Sequence, residues 1–230
     1  MSTSKERLGK FNSIVIDRNL SFAYISVPKA ANTSIKESLL ATRIPQILLS
    51  GDRDEIVKKL HKQKDGVFFF CKKEELYSNP PSFVFTAVRN TWERIYSCYK
   101  NKIYHNFHEP FAHYDLKHKM SFEDFLLVIS EIKDADAEIH FRSQYHILTH
   151  KGCFLPDVVL RVERLETQWE IVRTYFSRTH GINLSKVGRL NTTSNQAATE
   201  GFSSKAIDLI GDRYSKEISF FGFQPPPQQN

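Results

Sequence analysis

The chain has 230 residues, 40% of them hydrophobic, enough to bury a sizeable core and too many for a disordered polymer. Lysine and arginine outnumber aspartate and glutamate by 32 to 26, but they are dispersed, so the excess speaks for a solvated surface and an anionic ligand rather than nucleic acid. Three cysteines without CxxC spacing exclude a zinc knuckle and a disulfide framework and favour a reducing compartment.

Residues 1–20 read as a polar N-terminal extension with a short strand near Ser13 to Ile16 and no leading apolar run after Met1. No segment approaches the ~20 apolar residues of a membrane span, so a soluble, cytoplasmic protein is expected. Phe22 to Val27 is mostly apolar, the pattern of a strand covered on both faces, and Pro28 ends it. Ala30 and Ala31 are small, Asn32 tolerates unusual backbone angles, and Thr33 or Ser34 is suited to cap a helix running toward Thr42. After a loop of Pro45, Ser50 and Gly51, Asp52 to His61 reads as a helix, and Phe68 to Phe70 as another central strand followed by a helical turn, KKEEL.

Ser82 to Val88 is a second apolar, β-branched and aromatic run, suited to an interior parallel strand. Asn90 caps a helix from about Thr91, in which Trp92, Ile95, Tyr96 and Tyr99 recur at helical spacing. Ser121 caps a helix to about Ile132, Leu165 to Arg178 is amphipathic, and Ser203 to Ser219 reads as one further helix. Pro225 to Pro227 and the Gln-Gln-Asn end predict a disordered tail. Strands alternating with helices predict an α/β fold: a central, mainly parallel sheet flanked by helices. One domain is expected over 21–223, between the extension and a tail at 224–230.

Unpaired N–H groups and the positive end of a helix dipole meet at the turn after Val27, and Lys29 adds a mobile charge beside them. That combination suits an anion. The nucleotide P-loop, G-x-x-x-x-G-K-[ST], is not present, because the lysine comes first and the glycines are missing. No apolar strand ends in a convincing magnesium-holding carboxylate either, which argues against a kinase-like phosphotransferase. Arg89 stands at the end of the second strand, with Ser97 two turns along the following helix. A guanidinium fork with a hydroxyl suits a terminal phosphate, and Glu93, one turn on, is the alternative partner for Arg89. His105, His108, His113 and His118 crowd one stretch at spacings of three, five and five, which match no standard zinc pattern, so no metal is expected.

Together, VPKAANTS at 27–34 and RNTWERIYSCYKNK at 89–102 resemble the paired motifs of sulfotransferases that use 3′-phosphoadenosine 5′-phosphosulfate (PAPS). The closest likeness is to the carbohydrate group that includes the chondroitin and dermatan enzymes. In that family a V-P-K-x-x-x-T-S-like loop holds the 5′-phosphosulfate, which implies Pro28, Lys29, Ala30, Ala31, Asn32, Thr33 and Ser34 here. An R-x-P-x-E-R-x-x-S-like segment holds the 3′-phosphate, implying Arg89 and Ser97; Thr91 stands where the family usually has proline. HFRSQ at 140–144, VVLRVERLETQWEIV at 158–172, GRLNTTSN at 188–195 and the Tyr214…Phe220-Phe221-Gly222-Phe223 ending extend the likeness over roughly 20 to 223. It implies a P-loop-like three-layer fold, PAPS as sulfuryl donor, no metal, and an acceptor hydroxyl on a saccharide or glycoconjugate. Lys29 would stabilise the leaving phosphate, with His140 as first candidate for the general base and Glu74, beside Glu75, as second. A catalytically silent PAPS-binding protein of the same fold is the remaining alternative.

Overall fold

The structure is a computed structural model that describes residues 14–43, 69–187 and 202–226. The strands of the main sheet are β1 (Ile14–Asp17), β2 (Phe22–Ile25), β3 (Phe69–Cys71), β4 (Phe83–Val88) and β5 (Val158–Arg161). The helices are α1 (Asn32–Arg43), α2 (Lys73–Ser78), α3 (Thr91–Tyr99), α4 (Phe122–Ser130), α5 (Gln144–Leu148), α6 (Leu165–His180), α7 (Ser204–Arg213) and α8 (Ser215–Phe221). They fall into two compact units, one holding the sheet (14–43, 69–88 and 150–187) and one mainly helical (89–149 and 202–226).

In the first unit these five strands form one mixed sheet in the order β3-β1-β2-β4-β5. β2, β4 and β5 are parallel neighbours, while β1 runs antiparallel to β2 and to β3. Every strand but β1 therefore points the same way, as the expected mainly parallel sheet requires. The early strand is an interior member of this sheet, between β3 and β2.

Alternation along the strands puts Val15, Phe22, Tyr24, Phe83, Phe85 and Leu160 in one core with Ile35, Leu39 and Leu40 of α1 and Leu165, Trp169, Val172 and Phe176 of α6. The α6 residues recur at four, three and four and Ile35 and Leu39 of α1 at four, so each helix lays one apolar stripe on the sheet. Aromatic edges lock the layer, Phe22 meeting Phe176 with ring centroids 4.9 Å apart. Polar groups fix the strand ends: the Val84 N–H donates to Asp157 Oδ2 at 2.7 Å, and the Asp157 N–H returns a bond of 2.7 Å to the Val84 carbonyl. Thr86 Oγ1 donates to the Ile25 carbonyl at 2.7 Å, tying β4 to β2 where both approach the carboxyl edge.

In the second unit Asn90 caps α3 as expected, its Oδ1 accepting from the N–H groups of Trp92 and Glu93. The chain then winds on as a wider π-helical turn, Lys100–His105. Ser121 and Ser203 cap α4 and α7. Two details differ from expectation. Helix α1 starts at Asn32, so Thr33 and Ser34 lie in its first turn rather than capping it. The helix expected over Ser203 to Ser219 is broken at Tyr214, whose φ of −114° and ψ of 20° leave the helical region. The reason is packing: the Tyr214 ring is buried and its hydroxyl donates to the Phe141 carbonyl at 2.6 Å, which holds the kink. The helix expected at Asp52 to His61, the loop at 188–195 and most of the tail lie outside the described residues.

Lys36 sits on the buried face of α1, 2% exposed, its ammonium 5.6 Å from the ring centre of Phe70. Burial lowers its pKa to about 8 from 10.5. The unfolded chain thus holds a proton there that the folded chain releases, so this residue makes stability rise from about pH 8 to about pH 10, and its full cost applies below. Lys36→Met is expected to raise stability at pH 7 by roughly 1–3 kcal/mol and to flatten that rise; urea titrations of both proteins at pH 7 and pH 10 check it.

Candidate functional site

In the first unit β2 ends at Ile25 and the chain turns through Pro28 and Lys29 into α1. Two residues of this turn, Lys29 (φ 68°) and Ala31 (φ 55°), are left-handed without being glycine. Each costs of order 1 kcal/mol, a strain that persists only where the surroundings enforce it and that clusters at ligand-binding turns. The Ala30 N–H closes the turn on the Val27 carbonyl at 3.2 Å, and the first helical bond runs from the Ile35 N–H to the Ala31 carbonyl at 3.1 Å. The N–H groups of the first helical turn therefore have no carbonyl one turn back. Left-handed residues beside them make the concave backbone that receives anions.

The side chains agree. Pro28, Ala30, Asn32 and Ser34 are buried, and Lys29, Ala31 and Thr33 half-buried. Ala30 is wholly buried, so a larger side chain would have no room. Ser26 Oγ and Asn32 Oδ1 are buried and lack a hydrogen-bond partner. Buried polar groups are nearly always bonded, so two such atoms flanking one strained turn fit a site whose ligand supplies partners.

Glu74 lies on α2, exposed, directly after β3. Because β3 and β2 run the same way with β1 between them, Glu74 follows from the same sheet edge as Lys29 but about 10 Å along it. Glu75 pairs with Arg18 at 2.8 Å.

In the second unit the chain leaves β4 at Arg89, whose side chain is buried. Arg89 Nε and Nη2 donate to Glu93 Oε2 at 3.3 and 3.2 Å, so the alternative partner is engaged and holds the guanidinium plane. The Arg89 backbone is clamped on both sides by one amide: its N–H donates to Gln144 Oε1 at 3.0 Å, and its carbonyl accepts from Gln144 Nε2 at 2.8 Å. Gln144 is in turn fixed by Glu217, fully buried, which accepts from Gln144 Nε2 at 2.7 Å, from the Gln144 N–H, and from Thr91 Oγ1 at 2.7 Å. Ser97 is buried on α3, two turns beyond Arg89.

The HFRSQ segment is brought to the same helix. Arg94, wholly buried, donates from Nη1 to the His140 carbonyl at 3.1 Å and from Nη2 to the Arg142 carbonyl at 2.9 Å. His140 Nδ1 lies 3.0 Å from both oxygens of Glu138, and its backbone N–H donates to Glu138 Oε2 at 2.6 Å. Burial pushes the Glu138 carboxyl up, but the bonds and charge of His140 outweigh it, and the carboxyl ends below its usual range. When the ring is neutral, an ionised carboxylate on Nδ1 selects the tautomer with its proton there, leaving the lone pair on Nε2. His108 faces the same carboxylate from 3.8 Å; burial, with the nearby charges of Lys102 and His140, lowers its pKa.

A model of the Sulfotransferase family matches residues 12–224, which spans both units. The chain belongs to the sulfotransferase family. Membership implies a PAPS-dependent sulfotransferase. Comparison with curated proteins and with solved structures finds no match. Among the described residues of this sulfotransferase no helix is long and apolar enough to cross a membrane.

Sequence reasoning missed Arg94, Glu138 and Glu217. Arg94 carried a signal, since it lies inside the Glu-Arg pair of the second motif; Glu217 carried none, sitting in a helix that reads as amphipathic surface. Replacing the Glu217 carboxylate by an amide turns an N–H₂ toward buried donors. Glu217→Gln is therefore expected to cost about 1–3 kcal/mol, read as a lower urea midpoint with an unchanged slope.

Proposed function

We propose that this sulfotransferase moves the sulfuryl group of PAPS to a hydroxyl of a saccharide or glycoconjugate, residues 21–223 acting as one domain. The observation that carries the reading is the pair of left-handed residues, Lys29 and Ala31, in a turn between a buried parallel strand and a helix N-terminus. The donor supplies an activated sulfuryl group whose leaving oxygen gains negative charge. The N–H groups of 30–34 cradle its 5′-phosphosulfate, with Pro28 ending the strand and the small Ala30 and Ala31 keeping the backbone close. Lys29 stabilises the leaving oxygen where its charge develops. Arg89 and Ser97 hold the 3′-phosphate, Arg89 with its plane set by Glu93. His140 takes the acceptor's proton on Nε2, with Glu138 fixing the tautomer. Glu74, exposed at the sheet edge, is the second candidate base. Three free cysteines, two of them buried, suit a reducing compartment such as the cytoplasm.

Titration calorimetry with adenosine 3′,5′-bisphosphate tests this reading. Micromolar binding without magnesium is expected, abolished in Arg89→Ala. Lys29→Ala should lower sulfuryl transfer by about 10²–10³, the loss typical of a removed transition-state contact. No binding to the unaltered protein, or binding only of ATP with magnesium, would overturn the proposal in favour of a phosphotransferase.

A further inference from the structure

His108, Glu138 and His140 each bring one donor atom to a common point, all three within 4.8 Å of one another. We propose that these residues form a binding site for a divalent cation of the zinc class. Two imidazoles and one carboxylate are the ligand types zinc favours, whereas magnesium and calcium prefer oxygen alone. The distances suit it too. Bonds of about 2.0–2.1 Å at tetrahedral angles set neighbouring ligand atoms about 3.4 Å apart. The two observed spacings, 3.0 Å from Glu138 to His140 Nδ1 and 3.8 Å from Glu138 to His108 Nε2, bracket that value. Small side-chain rotations would admit the ion.

The frame around the three groups is held from behind. The His140 backbone is pinned to Glu138 by its N–H and to Arg94 by its carbonyl. On the other segment, the His108 N–H donates to the Lys102 carbonyl at 3.0 Å, and its carbonyl accepts from the Phe111 N–H at 2.7 Å. Phe111, wholly buried, lies edge-on to both imidazoles and makes an apolar floor. Glu138 and His140 have side chains only 12% and 14% exposed, but His108 is 31% exposed, so the ion and a fourth, water ligand can enter on its side. The opposing charge is Lys102, which acts on His108. It offsets part of the attraction to Glu138, and micromolar rather than nanomolar affinity is expected. The histidine spacings at 105–118 gave no sign of the site, because Glu138 and His140 come from a later segment.

One corollary rests on the proposed general base: a cation on Nδ1 keeps the proton on Nε2, so the metal-bound protein could not accept a proton there, and zinc would inhibit transfer. The binding test does not depend on that reading. The full chain, stripped with chelator, is titrated with Co²⁺ while visible absorption is recorded, then with Zn²⁺ in competition. The expected result is a saturable d–d band at one equivalent, displaced by zinc and weakened at least tenfold in both His108→Ala and Glu138→Gln. A His105→Ala/His113→Ala/His118→Ala protein should bind as the unaltered chain does, and melting curves establish that each variant is folded. No saturable band overturns the site, as does a band unchanged in His108→Ala and Glu138→Gln or one with sulfur-to-cobalt charge transfer. Adenosine bisphosphate binding by the same preparation is read separately, so failure of the metal site is distinguishable from failure of the sulfotransferase reading.

Discussion

A carboxylate withdrawn from water must be met by donors, and Glu217 is met by three: the Thr91 hydroxyl and the Gln144 side-chain and backbone N–H groups. The demand of that one buried charge orients the Gln144 amide. With one end turned toward Glu217, its two polar atoms fall on the N–H and carbonyl of Arg89. Arg89 is thus set through its main chain by a helix from the far end of the sequence, while Glu93 sets its side chain. Arg94 does the same for the proposed base, reaching the carbonyls of His140 and Arg142 from the interior of α3. Cooperative polar networks of this kind rigidify a site because each member loses its partners if another moves.

The sheet unit solves a different problem. Its turn after β2 leaves backbone N–H groups at the start of α1 and adopts angles that alanine and lysine resist. The cost is carried by what surrounds it: a fully buried strand before, an apolar helix stripe after, and the Thr86 hydroxyl bonded to Ile25 at the strand end. A glycine-rich loop would reach similar angles without strain, but with a less confined backbone.

Strands were legible because apolar runs of β-branched and aromatic residues at Phe22 and Ser82 leave little else for them to be. Caps were legible at Asn90, Ser121 and Ser203 because a short polar side chain before an amphipathic run has a local job. The turn between strand and helix at Lys29 was legible, though its left-handed angles at Lys29 and Ala31 were not. What stayed hidden was nonlocal. Glu217 looks like a surface charge until the fold buries it. The break at Tyr214 interrupts a run whose periodicity is continuous, since a distant carbonyl, that of Phe141, supplies the reason. His108 acquires Glu138 and His140 as neighbours only through tertiary structure.

The wider π turn at Lys100–His105 bears on how this chain can change in length. A π turn holds one residue more than an α turn, so a single deletion there would restore ordinary winding without breaking the helix. The winding stops with the turn, because Asn106 is already extended. His108 comes three residues after it, so a change of length here falls on the short exit that carries His108 to Glu138 and leaves the helix itself intact.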